Sequence, residues 1–204
     1  MRTIPNPTQA RSRQALERYI KVTIDLLAQN RFEDTSIAQI ARLANSSVGT
    51  FYRLLADKDV LLCAVHERFV DDSHQVISDL VESLGSSEHP FQEQLKQFVR
   101  GIIGLYDGNE GLLRALIRRS SVDERFRERI HQLNFFVGHS LRSLVLKQRD
   151  QLSHPAPENA ADLAGHVLLA SMNYYSLVGT LGDTPRDHLP EELSLLICNY
   201  LQLR

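Results

Sequence analysis

The chain is poor in the features that mark disulfide scaffolds, membrane proteins and enzymes. Its 204 residues hold two cysteines, Cys63 and Cys198, far apart in sequence. Two such residues make neither a disulfide framework nor a metal-binding spacing. Both sit in apolar helical patterns, as expected of buried, reduced thiols in a cytoplasmic protein. No run approaches the roughly 18 apolar residues of a membrane span. The leading segment MRTIPNPTQARSRQ lacks the apolar core of a secretion signal, so no membrane association is expected. There is no Gly-rich phosphate loop, no His/Cys metal cluster and no Ser-His-Asp context. His66 and His74 lie two helical turns apart, too far to share one metal without outside ligands. Neither catalysis, a metal nor a cofactor is therefore expected. No long run alternates like a strand, and there is no internal repeat or low-complexity segment.

What is present is helical period. The composition, 43% hydrophobic and 24% charged, is that of an ordinary globular protein. The net charge of −2 is unevenly spread: residues 1–60 carry nine Lys/Arg against six Asp/Glu, and the remainder carries 14 against 19. A basic head on an acidic body fits nucleic-acid binding by the head. The stripe Leu16, Tyr19/Ile20, Thr23, Leu26/Leu27 predicts a first helix over 10–29, with Asn30 as its left-handed terminator. Ser36 and Gln39 form a capping box opening a short helix over 37–43. Ala44-Asn45-Ser46 is a turn, and Ser47 caps a third helix to Leu54. Asp57 caps a long fourth helix over 58–84. Further helices are predicted over 91–106, from about 112 to 120, over 123–152, 158–181 and 190–203, separated by GSSEHP, a Gly-rich break at 107–111, SHPAP and GDTPRDHLP. Nine helices make the chain all-α.

Two short helices joined by a three-residue turn form a helix-turn-helix arrangement, whose second helix enters the major groove. Its N-terminal end must be small and polar so that the backbone can approach the bases. Ser47, Val48 and Thr50 meet that need through hydroxyls and thymine-facing methyls. Gly49 serves either close packing or close approach to DNA. Phe51 and Leu54 face inward. Tyr52 can donate to a phosphate, and Arg53 can bind phosphate or a guanine edge. Lys58, at the start of the fourth helix, is either a phosphate contact or a solvated lysine. Thr35 and Ser36 can approach the backbone on the other side, Ser36 also serving as a cap.

The order and spacing of these elements resemble the DNA-binding domain of the TetR family of transcriptional regulators. The resemblance rests on Leu26-Leu27, Arg31-Phe32, Thr35-Ser36-Ile37, Ile40-Ala41, Ala44-Asn45-Ser46-Ser47, Gly49-Thr50-Phe51-Tyr52, Leu55, Lys58-Asp59 and Leu61-Leu62, and covers about fifty residues. Arg31 and Asn45 stand where the family usually has glycine, Leu55 replaces an aromatic, and Ser46 replaces a valine. Asn45 tolerates a left-handed turn; Arg31 requires Asn30 to take it over.

The resemblance implies a three-helix head over 1–56, with 1–9 a flexible arm, and a larger helical domain over 57–204 for ligand binding and dimerisation. It implies a homodimer on a palindromic duplex operator, most simply a repressor released by a small, moderately hydrophobic effector. The alternative is a DNA-binding protein of the same fold without an effector, acting as an activator or a DNA-positioned interaction factor. Residues nominated to line the ligand pocket are Phe98, Ile102, Tyr106, Leu116, Phe135, Phe136, His139, Met172 and Tyr175, for all of which plain core packing is the competing role. Gly101 and Gly104 make room for a ligand or for a crossing helix. The apolar stripes Leu163, Val167, Tyr174, Val178 and Leu193, Leu196, Ile197, Tyr200 are nominated for the dimer interface, with packing inside one chain as the alternative. The run Arg118, Arg119, Arg125, Arg127 and Arg129, interleaved with acids, reads as a salt-bridged surface rather than an anion site.

Overall fold

A computed structural model describes residues 10–203, so the expected arm over 1–9 lies outside the described residues. Among these residues the chain forms α1 (Ala10–Ala28), α2 (Ile37–Leu43), α3 (Val48–Leu54), α4 (Lys58–Gly85), α5 (Phe91–Gly104), α6 (Glu110–Ser120), α7 (Glu124–Lys147), α8 (Pro157–Val178) and α9 (Leu189–Leu201). Two single 3-10 turns and one isolated bridge between Leu152 and Leu203 are the other regular features.

Local chemistry accounts for most boundaries. Asn30 adopts φ 55° and closes α1, which leaves Arg31 free of that conformation. Ser36 and Gln39 cap α2 reciprocally. Asn45 turns the chain at φ 47°, and Ser47 accepts from the Thr50 N–H to start α3. Asp57 caps α4 through the Val60 N–H. Pro157 opens α8, where its missing N–H costs nothing, and Gly179 closes it at φ 86°. Helices α5, α7 and α8 stop a few residues short of the predicted ends, where a run of turns, a 3-10 turn and Gly179 respectively take over.

Two apolar clusters organise the packing. One joins α1, α2 and α3 through Leu16, Tyr19, Ile40 and Phe51, and continues into α4 through Val60–Val65 and into the body through Leu112, Leu116 and Phe126. The head's core therefore does not stop at residue 56. The other cluster holds α5, α7, α8 and α9 together around Phe98, Ile102, Val137, Leu168 and Met172.

Two close approaches need glycine. At the α7–α8 crossing, a Cβ on Gly165 would stand 2.9 Å from Gly138 Cα. At the head–body joint, a Cβ on Gly111 of α6 would stand 2.4 Å from the Leu27 carbonyl oxygen and 2.6 Å from Ala28 Cα. Gly101, by contrast, faces the Leu80 side chain of α4, while nothing lies over Gly104.

Candidate DNA-binding face and interior cavity

Helix α3 owes its position to α1. The buried Tyr19 ring meets Phe51 edge-on at 5.3 Å, and its hydroxyl donates to the Ser47 carbonyl at 3.1 Å. Arg18 Nε donates to the Ala44 carbonyl in the turn at 2.9 Å. These two residues were not singled out from the sequence; Tyr19 showed there only as part of an apolar stripe, although a buried tyrosine hydroxyl needs a partner. Phe51 and Leu55 are buried and Leu54 only half-buried. Leu55, just past the helix, thus takes the inward place expected of Leu54.

The outward face of α3 carries Val48, Gly49, Tyr52 and Arg53, all exposed. Gly49 has open space beside it, its nearest neighbour for an added Cβ being Ser47 Oγ at 3.8 Å. Packing within the chain therefore gives no reason for glycine there. Ser47 Oγ and Thr50 Oγ1 lie 3.0 Å apart, so the pair is preorganised at the helix start. Ser36 is exposed with its hydroxyl engaged by Gln39.

Two residues expected at phosphate have partners within the chain. Thr35 is buried and its hydroxyl donates to the Arg31 carbonyl at 2.6 Å, which tightens the turn into α2. Lys58 reaches back across the chain: Nζ donates to the carbonyls of Phe32 at 2.6 Å and Glu33 at 2.9 Å, and lies 4.5 Å from the centre of the Phe32 ring. Both are internal ties. The arginine run is largely paired: Arg119 with Asp59 and Asp123, Arg125 with Asp123, and Arg129 with Glu67.

In the body, a cavity of about 30 Å³ is lined by side chains of α4, α6, α7 and α8 together with Leu105 and Tyr106. Of the residues nominated for ligand contact, Tyr106 and Leu116 line it. Phe98, Ile102 and Met172 are buried in the core instead. Phe136 is half-buried, its ring 4.3 Å from that of His74, and Tyr175 lies under Arg186, which is 5.0 Å from its ring centre. Phe135 and His139 do not line it: both are exposed, Phe135 at 65%, because α7 turns Leu133, Asn134 and Val137 inward.

The cavity's polar residues are His66, Tyr106, Asn134 and Asn173. The Tyr106 hydroxyl donates to Asn173 Oδ1 at 2.9 Å, and burial pushes its pKa up. His66 is 1% exposed and stacks on Phe126 at 5.3 Å. Its Nδ1 is buried with no hydrogen-bond partner among the described residues. Burial, and after it the charge of Arg129, lower its pKa to about 4, so the imidazole is neutral at physiological pH. The signal in the sequence was a histidine inside the apolar run of α4, which invited a metal test and nothing more. Among the described residues no group of three or more His, Cys, Asp or Glu is placed to hold a metal ion, and no helix is long and apolar enough to cross a membrane.

A third surface lies on α8 and α9. Leu163, Val167, Tyr174 and Val178 are exposed, as are Leu196 and Tyr200. Leu193 and Ile197, nominated with them, are buried in the chain's own core: Ile197 is 2% exposed where Leu196 is 52%. Positions 193 and 197 form the inner stripe of α9, and 196 and 200 the outer.

No family model and no curated protein sequence matches the chain. Solved structures do. A TetR-family transcriptional regulator from Mesorhizobium loti superposes with a TM-score of 0.77 at 20% identity, over 95% of this chain and 98% of the other. A transcriptional regulator from Rhodococcus sp. RHA1 gives 0.71 at 18%, over 92% and 96%. The Bacillus subtilis regulator FadR, solved in complex with stearoyl-CoA, gives 0.66 at 16%, over 89% and 96%. The chain thus has the fold of the TetR-family transcriptional regulators, the all-α arrangement expected from the sequence.

Proposed function

We propose that the protein is a sequence-specific DNA-binding transcriptional regulator of the TetR type. Homodimerisation through the outer face of α8 and α9 sets two copies of α3 on a palindromic operator. The observation that carries this reading is the outward face of α3: small and polar at its start, followed by exposed Tyr52 and Arg53, and held from behind by Tyr19 and Arg18. Ser47, Val48, Gly49 and Thr50 read bases, while Tyr52 and Arg53 fix the register on phosphate. One such helix covers few base pairs; two, spaced by about 34 Å or a multiple, supply usable specificity.

The exposed apolar side chains repeated along α8 and α9 support the dimer, since large exposed apolar patches mark interaction surfaces. The interior cavity supports a small, largely apolar effector whose binding releases a repressor. A second reading, a regulator without an effector, is favoured by one observation: at about 30 Å³ the cavity is far smaller than the roughly 300–1,000 Å³ of ordinary ligand pockets. A long acyl chain of the kind in stearoyl-CoA enters only if the walls rearrange.

The test is selection of bound sequences from a random duplex library by the purified full chain, at fixed salt of about 150 mM. Enrichment of a palindrome is expected. Recovery of no motif by the folded protein would overturn the reading.

A further inference from the structure

The cavity and the groove outside it share two wall residues. The groove, about 390 Å³, runs between α1, α4, α5 and α6 past Ser73, Val76, Gly104 and Asn109. Phe69 and Leu105 line both it and the cavity, and both are only partly buried. They are the two residues that border both spaces.

The inner space has a definite chemistry. Among its lining residues there is no Asp, Glu, Lys or Arg. A charged group brought there would lose its water, and the nearby Arg129 lies outside the lining and is already paired with Glu67. In the wall, Nδ1 of His66 is buried without a hydrogen-bond partner, in a residue 1% exposed. An imidazole nitrogen in a neutral ring is a donor or an acceptor according to tautomer. A hydroxyl serves either case, because it both donates and accepts. A plain hydrocarbon serves neither.

We propose that the cavity takes an uncharged, mainly apolar molecule bearing a hydroxyl, that the hydroxyl hydrogen-bonds His66 Nδ1, and that the apolar part extends past Phe69 and Leu105 into the groove. This rests on the effector-responsive reading above and deepens it by naming the ligand class and its anchor. Phe126 holds the imidazole flat from behind, so the anchor is rigid before the ligand arrives. The Tyr106 hydroxyl, in the same wall, is already engaged by Asn173 Oδ1.

The experiment uses three probes of one shape on the full chain without DNA: 4-propylphenol, propylbenzene and 4-propylbenzoate, titrated near neutral pH by calorimetry. The phenol is expected to bind about tenfold tighter than the hydrocarbon, the worth of one buried hydrogen bond, and the carboxylate not measurably. The variant His66→Phe keeps the ring stacked on Phe126 and removes Nδ1; in it the phenol's advantage disappears. The comparison among probes in the unaltered chain needs no variant and stands even if that one folds poorly. Equal binding of phenol and hydrocarbon, preference for the carboxylate, failure of every probe, or an undiminished phenol advantage in His66→Phe would each overturn the proposal. None of these results touches the duplex-selection experiment, so the two readings fail separately.

Discussion

Replacing Gly111 by alanine is the smallest change that reaches the joint between head and body. A Cβ there would stand 2.4 Å from the Leu27 carbonyl oxygen, 2.6 Å from Ala28 Cα and 2.8 Å from the Leu27 carbonyl carbon. All three are backbone atoms at the end of α1, so no flexible side chain can yield. Restoring an ordinary separation requires α6 and α1 to part by about 1 Å, roughly the cost of overpacking a core, ~1–3 kcal/mol. The gain in helix propensity from Gly to Ala offsets at most about 1 kcal/mol, and less in a first turn. The net expectation is a loss of about 1–2 kcal/mol. Urea unfolding of Gly111→Ala beside the parent should show a lower midpoint at unchanged slope. Because α6 also supplies Leu113, Leu116 and Ile117 to the cavity, operator affinity should shift although no residue of the α3 face is altered. A variant as stable as the parent, with the same affinity, would refute the idea that α6 bears on the end of α1.

Other perturbations separate internal ties from DNA contacts. Lys58→Ala should lower stability by about 1–2 kcal/mol through two lost carbonyl partners and leave the salt dependence of DNA binding unchanged; a slope reduced by about one unit at full stability would return Lys58 to the phosphates. Tyr52→Phe should weaken selected and random duplex alike, about fivefold, and a loss confined to one base pair would contradict its phosphate role. His66 makes a pH signature. Its folded pKa of about 4 lies below the ordinary 6.5, so its contribution is intact above pH 6.5 and is lost as pH falls toward 4, when the unfolded chain takes up a proton that the folded chain does not. That loss totals about 3 kcal/mol; chemical denaturation across the range should show His66→Phe gaining on the parent by this amount, and parallel curves would refute it. Leu196→Asp on the outer stripe of α9 should leave folding intact and give a monomer in sedimentation, with operator binding weakened; an unchanged assembly state would move the dimer face elsewhere.

How far the sequence reached can be judged residue by residue. Caps and turns were legible because they are local: Ser36 with Gln39, Ser47, Asp57, Asn30 and Asn45 act within four residues of themselves. The outward face of α3 was legible because Phe51 and Tyr52 differ so sharply in polarity. What failed was long-range or rotational. Lys58 meets carbonyls 25 and 26 residues away, and nothing in DKD announces them. On α9, and on α7 from Leu133 onward, apolar residues occur on several sides, so period alone does not say which stripe faces the chain's own core. Reading Phe135 and His139 in place of Leu133 and Val137, or setting Ile197 beside Leu196, is an error of one or two residues that turns a helix by 100° or more. The cavity's anchor was hidden for the same reason: His66 becomes meaningful only when α7 brings Phe126 against it.

The apolar cluster that runs from Tyr19 and Phe51 into Val60–Val65 has a consequence for what a dimer could sense. The three head helices and the opening turns of α4 share one buried core, which Leu112, Leu116 and Phe126 of α6 and α7 also enter. A shift in the body would then be passed to each head as a whole block, with its contacts to the half-site kept. The variable is the distance between the blocks. Such a regulator is a caliper, and its response belongs as much to the number of base pairs between half-sites as to the bases within them.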